Sequence, residues 1–147
     1  MHVRLSTIDD IEKLTLLFDR YRSFYGKPSN KELAKSFLIE RFQHMESIIF
    51  VADSEGDFIG FTQLYPSFSS VRASRSFILN DLFVTPEARG KGAGKALITA
   101  AANYGRAMGA VRLSLSTARD NHVAQSLYEN AGWSRDDIFF SYNLDLL

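Results

Sequence analysis

The sequence contains no cysteine among its 147 residues. This absence excludes disulfides, thiolate metal sites and catalysis through a covalent cysteine intermediate. The only three histidines, His2, His44 and His122, do not have the spacing of metal ligands. The sequence therefore predicts a protein without a metal cofactor.

Excess charge and long apolar segments are missing as well. Seventeen basic residues balance seventeen acidic ones, so the formal net charge is zero, whereas proteins that bind nucleic acid usually carry a basic surplus. No stretch approaches the roughly 20 apolar residues of a membrane span, and the N-terminus has no apolar signal core. We expect a cytoplasmic protein that has neither a nucleic acid nor a membrane as its partner.

What is present is an ordinary globular composition, with 46% hydrophobic and 23% charged residues. The length corresponds to one compact domain. A chain of this size buries enough surface to fold without a metal or a disulfide. The expected organisation is a single domain that covers residues 1–147.

Hydrophobic periodicity divides the chain into ten elements. Apolar residues spaced by three and four indicate helices, while apolar runs and strict alternation indicate strands. The expected order β-α-α-β-β-β-α-β-α-β covers residues 3–5, 7–25, 29–45, 48–52, 58–65, 76–84, 92–108, 111–116, 121–130 and 138–146, with a serine-rich loop at 66–70. This order predicts a mixed α/β fold.

Two capping boxes mark the starts of the first two helices. In a capping box, a hydroxyl and an acidic side chain three residues later satisfy free backbone N–H groups. Thr7 with Asp10, and Ser29 with Glu32, have this spacing. Near the other end of the chain, Gly132 follows the last expected helix, where a left-handed C-cap favours glycine.

The most informative segment is a glycine-rich turn between a strand and a helix. It follows Leu82-Phe83-Val84 and reads Arg89-Gly90-Lys91-Gly92-Ala93-Gly94-Lys95. Glycine lets the backbone approach a ligand closely, and the free N–H groups at a helix start attract an anion such as pyrophosphate. A flexible turn without a ligand is the alternative interpretation.

Two common phosphate-binding loops do not match this turn. A Walker A loop requires glycine where Arg89 stands and serine or threonine where Ala96 stands. A dinucleotide-binding fingerprint requires a third glycine at the position of Lys95 or of Leu97. The turn therefore belongs to neither class.

Two motifs resemble the GNAT superfamily of N-acetyltransferases. Arg89-x-x-Gly92-x-Gly94 is similar to its acetyl-CoA signature, Gln/Arg-x-x-Gly-x-Gly/Ala, and residues 121–133 are similar to its second pattern of Asn, Ala, Leu/Phe-Tyr and Gly-aromatic. The element order also matches, so the resemblance covers essentially the whole chain. It implies a GNAT-like fold with a twisted, mostly antiparallel sheet flanked by helices.

The resemblance also implies how acetyl-CoA would be bound. The backbone of the strand segment Leu82, Phe83 and Val84 would pair with the pantetheine arm, as an added strand pairs at a sheet edge. The N–H groups of the turn from Arg89 through Gly90, Lys91, Gly92, Ala93 and Gly94 to Lys95 would hold the pyrophosphate. Asn121 would position the cofactor or a water, although it could also cap its helix, and Ser126 would touch the adenosine end.

The expected reaction is direct acetyl transfer to a primary amine of a small, polyamine-like or amino-acid-like molecule. Tyr128 matches the tyrosine of this family whose hydroxyl faces the thioester sulfur. The resemblance therefore implies that Tyr128 is the general acid. A tyrosine packed in the core is the alternative. Tyr65, Pro66, Phe68 and Ser69 are candidates for the acceptor pocket, because they precede the strand that carries Asp81.

Asp81 is the second candidate catalytic residue. A carboxylate in a mostly apolar central strand needs a reason, and binding the acceptor's ammonium group would supply one. A structural aspartate paired with an arginine or a backbone N–H is the alternative. The strand resembles that of spermidine/spermine acetyltransferases, but Asn80 stands where those enzymes have another acidic residue. This difference leaves the acceptor open.

Other functions and assemblies fit the same motifs. The acceptor could be a protein or an aminoacyl-tRNA, although the zero net charge disfavours tRNA. The chain could also be a non-catalytic sensor that binds acyl-CoA. Phe139, Phe140 and Tyr142 put much aromatic area on the last expected strand, which predicts a homodimer.

Overall fold

Five strands form one sheet in the order β1-β2-β3-β4-β5 in this computed structural model, which describes residues 1–147. The first four strands pair antiparallel, and β4 pairs with β5 in parallel. The strands are β1 His2–Leu5, β2 Ile48–Ser54, β3 Asp57–Ser69, β4 Ser74–Val84 and β5 Leu113–Ser114. The predicted mixed α/β fold with a mostly antiparallel sheet is confirmed.

Four α-helices accompany the sheet. They are α1 Ile11–Phe24, α2 Lys31–Gln43, α3 Ala93–Ala107 and α4 His122–Asn130, with short 3-10 turns at Ile8–Asp10 and Pro86–Ala88. The chain divides into two compact units, residues 1–116 with the sheet and α1–α3, and residues 117–147 with α4. None of the helices is long and apolar enough to cross a membrane.

The two faces of the sheet carry separate apolar clusters. On one face, α1 and α2 pack Leu14, Phe18 and Leu38 against Val51 and Phe61 of the sheet. On the other face, α3 packs Ala93 and Leu97 against a second set of strand residues, which includes Phe50, Ala52, Ile59, Leu82 and Val84. Each face buries its own helix layer, so a side chain's face decides which helices surround it.

The first capping box is confirmed and the second is wrong. Thr7 and Asp10 cap each other's backbone as predicted. Helix α2 instead begins after Asn30, whose side chain accepts a hydrogen bond from the Leu33 N–H at 3.0 Å. The Ser29 hydroxyl is used elsewhere, because it donates to the buried Asp19 carboxylate at 2.6 Å.

The loop predicted at residues 66–70 is also wrong for most of its length. Strand β3 continues through Pro66 to Ser69, and Pro66 lies opposite Phe77 of β4. Pairing of β3 with β2 ends at Leu64. Because β3 has only one neighbour beyond that residue, the missing N–H of proline is tolerated there.

A β-bulge interrupts β4 at Asn80. Asp81 lies opposite Gln63, but Leu79 lies opposite the next residue, Leu64, so Asn80 is the extra residue. Below the bulge Phe77 contacts Tyr104 of α3, whereas above it Asp81 contacts Tyr21 of α1. The bulge therefore turns Asp81 onto the α1–α2 face.

Two predicted strands differ from the structure. Strand β5 is shorter than residues 111–116 and lies opposite Phe77 and Ile78. The segment before it also bonds to β4, since the Val111 N–H donates to the Arg75 carbonyl at 2.9 Å. Residues 138–146 form no strand. A strand needs a neighbour to bond to, and residues 117–147 contain no other strand.

Candidate functional site

The upper half of β4 presents an unpaired edge within residues 1–116. Its pairing with β5 stops at Ile78. The Thr85 N–H donates toward β3, to the Ile59 carbonyl at 2.9 Å, while the Val84 carbonyl accepts from the Arg89 Nε at 3.0 Å on the other side. Since bonding directions alternate along a strand, Leu82 and Val84 point their backbone groups to the open edge and Phe83 does not.

The glycine-rich turn follows this edge directly. Gly90 and Gly92 adopt positive φ values of 77° and 86°, a region that favours glycine. Gly92 is the N-cap of α3, and no side chain caps this helix. The Ala96 N–H donates to the Gly92 carbonyl at 3.0 Å. The N–H groups of Ala93, Gly94 and Lys95 precede this first turn and have no acceptor within the helix.

Positive charge surrounds the same helix start. Lys91 and Lys95 are exposed, and the dipole of α3 adds a partial positive charge at its N-terminus. Free N–H groups, a positive dipole end and two lysines together form a suitable place for a phosphate group.

The side chain of Arg89 has a different environment from the one that its place in the turn suggests. Its guanidinium lies over the rings of Phe24 and Phe83, at 5.0 Å and 6.0 Å from their centroids, while its Nε donates to Val84. Nearby, Arg20 of α1 forms a two-bond ion pair with Glu87, at 2.9 Å and 3.2 Å. Helix α1 therefore holds the turn through two separate contacts.

Asp81 lies in the upper half of β4, next to Leu82, and is 4% exposed. Its Oδ1 accepts hydrogen bonds from the Tyr21 hydroxyl at 2.6 Å and from the Asn80 amide at 3.1 Å. Its Oδ2 accepts one from the Gln63 Nε2 at 2.7 Å. No arginine is paired with it, and no backbone N–H donates to it, so the structural pairing considered for Asp81 is not the one found.

Two tyrosines face this carboxylate. Burial and then the hydrogen bond to Asp81 raise the pKa of the Tyr21 phenol well above its ordinary value. Burial, with the nearby charge of Asp81, raises the pKa of the Tyr65 phenol to about 12. Both hydroxyls therefore keep their protons at neutral pH and can act as donors.

Sequence reasoning missed Gln63 and favoured core packing for Tyr21, with a place in a substrate cleft beside Phe24 and Tyr25 as the alternative. Tyr21 belongs to the apolar stripe of α1, which the sequence indicates as core. Gln63 gives a weak signal, since it is a polar residue within an otherwise apolar stretch of β3. Of the proposed acceptor-pocket residues, Tyr65 lies close enough to Asp81 to feel its charge, whereas Phe68 is 71% exposed.

Residues 117–147 carry the remaining predicted site residues on α4. Asn121 caps this helix by accepting a hydrogen bond from the Ala124 N–H at 3.2 Å. Ser126 is exposed, and the half-buried Tyr128 packs its ring against Trp133 at 5.8 Å. Gly132 adopts a φ of 95°, which confirms the predicted left-handed C-cap.

Known proteins resemble this chain over most of its length. A family model described as "Acetyltransferase (GNAT) family" matches residues 14–133. An uncharacterized N-acetyltransferase, YhfO, from Bacillus subtilis (strain 168) is 46% identical over 99% of this chain and 98% of its own. The crystal structure of a probable acetyltransferase has a TM-score of 0.94 at 40% identity and covers 100% of this chain and 99% of its own.

A more distant solved structure contains a ligand. The aminoglycoside N-acetyltransferase AAC(6')-Iy in complex with CoA has a TM-score of 0.80 and covers 97% of this chain and 93% of its own. At 22% identity it shows that the fold is shared. The structure offers no group of three or more His, Asp or Glu side chains that could hold a metal ion.

Proposed function

The chain belongs to the GNAT family of acetyltransferases, and we propose that it transfers the acetyl group of acetyl-CoA directly to the primary amine of a small molecule. The N-acetyltransferase reaction is that of the family; the small-molecule acceptor and the residue roles are our proposal. The observation that carries it is the buried carboxylate of Asp81 in the segment of β4 whose edge is open. We also propose that residues 1–147 act as one domain, because the family match spans both compact units.

The open edge and the turn fit the two ends of an acetyl-CoA molecule. Leu82 and Val84 offer backbone groups to an extended arm, and the free N–H groups of Ala93, Gly94 and Lys95 suit a pyrophosphate. When bound, acetyl-CoA supplies an acetyl group activated as a thioester. We assign the backbone groups of Leu82 and Val84, with Phe83 as the residue between them, and the backbone from Arg89 to Lys95 to its binding. The Arg89 side chain would act indirectly, by holding the turn against Phe24.

The acceptor amine meets a negative charge at Asp81. An alkylamine has a pKa near ~10.4, so it arrives at neutral pH mostly as an ammonium ion. The Asp81 carboxylate attracts that cation and receives or relays its proton, which leaves the neutral amine as the nucleophile. Because the site presents an acidic group, we expect polyamine-like or amino-acid-like cations rather than neutral or anionic acceptors.

Residues of α4 complete the proposed machinery. From the match of residues 121–133 to the family pattern, we assign Tyr128 as the general acid that gives its proton to the departing sulfur. Asn121 would position the cofactor or a water in addition to capping α4, and Ser126 would contact the adenosine end of the cofactor.

The test is acetylation of a panel of amines, amino acids and peptides, followed by thiol release and by mass spectrometry of the products. Removing a general acid costs roughly 10²–10⁴ in rate. We therefore expect Tyr128→Phe to lower kcat within that range while leaving acetyl-CoA affinity nearly unchanged. Tyr104→Phe is the matched control, because Tyr104 packs between Phe50 and Phe77 on the α3 face of the sheet.

Four outcomes would contradict parts of this proposal. Absence of heat with acetyl-CoA in calorimetry would overturn the cofactor site. Binding of acetyl-CoA without any acetylated product would favour a non-catalytic sensor. Acetylation of peptides alone would assign the enzyme to protein amines. An unchanged kcat in Tyr128→Phe would remove the general-acid role only.

We further propose a homodimer assembled through residues 138–146. Phe139, Phe140 and Tyr142 are 78%, 89% and 91% exposed, and such a contiguous apolar segment is unusual on a monomer. Sedimentation at micromolar concentration should give the mass of two chains, and Phe140→Ser should shift the population toward one chain. A monomeric mass for the unmodified protein would overturn this assignment. The cytoplasmic location stays a prediction.

A further inference from the structure

Three side chains from three parts of the fold converge on the Asp81 carboxylate. Tyr21 comes from α1, Gln63 from β3, and Asn80 is the bulged residue of β4. A carboxylate has about four acceptor positions, so these donors leave one of them open, on Oδ2. The carboxylate is fixed in orientation by its neighbours before any acceptor arrives.

Apart from its hydrogen bond to Asp81, the Gln63 side chain makes no hydrogen bond in the fold. It is fully buried, and its Oε1 is a buried atom without a hydrogen-bond partner. An ionised carboxylate only accepts hydrogen bonds, so the nitrogen of the amide must face Asp81. Leaving a buried acceptor unpaired is costly, and a leucine would fill this place without that cost. The amide is therefore retained at a cost to stability, and its only side-chain hydrogen bond goes to Asp81.

The Tyr21 hydroxyl is held just as firmly. Its ring packs edge-on against Phe61 at 5.4 Å and against Phe83 at 5.7 Å. Phe61 and Phe83 lie opposite each other on β3 and β4, two residues along the same strands from the Gln63–Asp81 pair. The hydroxyl consequently has little freedom to leave the carboxylate.

We propose that Tyr21 and Gln63 are positioning residues that fix the Asp81 carboxylate and aim its free Oδ2 position at the acceptor's ammonium group. This inference rests on the proposed amine acetylation. Hydrogen bonds to a carboxylate favour its charged form, and a charged, oriented carboxylate selects cationic acceptors. The titratable and charged groups around the network are Tyr21 and Tyr25 of α1, Tyr65 of β3 and Arg41 of α2.

The first test is the pH profile of kcat/KM for the best amine. Tyr21→Phe and Gln63→Leu each remove one donor, so protonation of the carboxylate becomes easier. We expect the acidic limb to move to higher pH in each variant. The KM for the amine should rise several-fold, while the affinity for acetyl-CoA stays the same.

Matched controls separate positioning from stability. Tyr104→Phe makes the same change on the opposite face of the sheet. Thr62→Val removes a buried hydroxyl next to Gln63 that donates at 2.8 Å to the backbone carbonyl of Asp81, not to its carboxylate. Both controls should leave the acidic limb in place. An acidic limb that stays in place in Tyr21→Phe and Gln63→Leu, or that moves equally in the controls, would overturn the proposal.

A second readout does not depend on activity. Carbon-13 labelling of aspartate carboxyl groups lets nuclear magnetic resonance follow each titration, with Asp81→Asn identifying the Asp81 signal. The signal of Asp81 should titrate at a higher pH in Tyr21→Phe and Gln63→Leu than in either control, because each variant lacks one donor to the carboxylate. If no amine is acetylated but this midpoint moves, the proposed function fails and the network stands. An unmoved midpoint overturns the network itself.

Discussion

Two aspartates are almost equally buried in this protein but have different hydrogen-bond partners. Asp19 of α1 is 5% exposed and Asp81 of β4 is 4% exposed. Asp19 accepts hydrogen bonds from the Ser29 hydroxyl at 2.6 Å and from the Asn30 N–H at 2.8 Å. Asp81 accepts only from side chains.

The difference separates a structural carboxylate from a candidate functional one. Asp19 ties the segment between α1 and α2 to α1, and one of its partners is a backbone N–H that would otherwise need another acceptor. Its partners, Ser29 and Asn30, lie in that connecting segment, and Asn30 is also the N-cap of α2. The partners of Asp81 are side chains that the sheet and α1 would keep in place without it. Burial alone therefore says little about what an aspartate does.

Exchanging each carboxylate for an amide should separate the two roles. Asp81→Asn removes the charge that attracts and deprotonates the amine, so we expect kcat/KM to fall by roughly 10²–10⁴. Its fold should survive, because an asparagine oxygen still accepts from Tyr21, and the Gln63 amide can rotate to accept from the new NH₂ group. Amine acetylation assays and urea unfolding measure the two effects.

Asp19→Asn is the matched control for that experiment. It should lower kcat/KM far less than Asp81→Asn does, since Asp19 belongs to the α1–α2 junction. If both variants lose the same activity, or if Asp81→Asn is the less stable protein, the assignment of roles is wrong.

The second prediction concerns stability. Hydrogen bonds to an ionised group contribute about 1.5–3 kcal/mol and neutral ones about half as much. Asp19→Asn keeps both partners but loses the charge, so we expect the free energy of unfolding to fall by about 2 kcal/mol. Urea unfolding at neutral pH measures this loss. A variant as stable as the wild type would show that the charge of Asp19 contributes nothing.

The difference in stability between wild type and Asp19→Asn should depend on pH. The Ser29 hydrogen bond, followed by those from Asn30 and the charges of Lys31 and Arg22, lowers the pKa of Asp19 in the folded state. Its stabilisation is complete above the ordinary aspartate pKa of about 3.9 and is lost as the pH falls through the lower folded-state pKa. The stability difference between wild type and Asp19→Asn should therefore be constant from about pH 5 to 8 and narrow below about pH 4.

The parts of this protein that were predictable from sequence are the local ones. The turn from Arg89 to Lys95 lies at a helix start because glycine and the helix N-terminus determine its geometry over a few residues. The order of the first nine elements follows from periodicity in the same way. Asp81 was identified because a carboxylate in an apolar strand is conspicuous.

The features that the sequence analysis did not predict depend on contacts between residues far apart in the sequence. Leu79, Asp81 and Phe83 alternate regularly, so nothing local shows that Asn80 is a bulge; the register with β3 decides it. The bond between Tyr21 and Asp81 joins residues 60 positions apart. Helix periodicity places Tyr21 in the core, but it does not say which polar group its hydroxyl meets.

The error at Ser29 has the same origin and provides the smallest of the predictions. The spacing of Ser29 and Glu32 is typical of a capping box, but Asn30 caps the helix because Asp19 takes the Ser29 hydroxyl. Ser29→Ala should therefore cost about 1.5 kcal/mol of unfolding free energy through the loss of one hydrogen bond to a charged group. In the Asp19→Asn background the cost should be clearly smaller, because the hydrogen bond of Ser29 is then made to a neutral amide instead of a carboxylate.

A double-mutant cycle with urea unfolding distinguishes the two interpretations of Ser29. A cap residue would lose the same stability with or without the Asp19 charge, and Glu32→Ala would then lower stability as well. A partner of Asp19 would lose most of its effect when that charge is removed, and Glu32→Ala would stay within about 0.5 kcal/mol of wild type. If Ser29→Ala lowers the free energy of unfolding equally in both backgrounds, Ser29 is the cap residue that its spacing from Glu32 predicts. Asp19 would then depend on the Asn30 N–H alone.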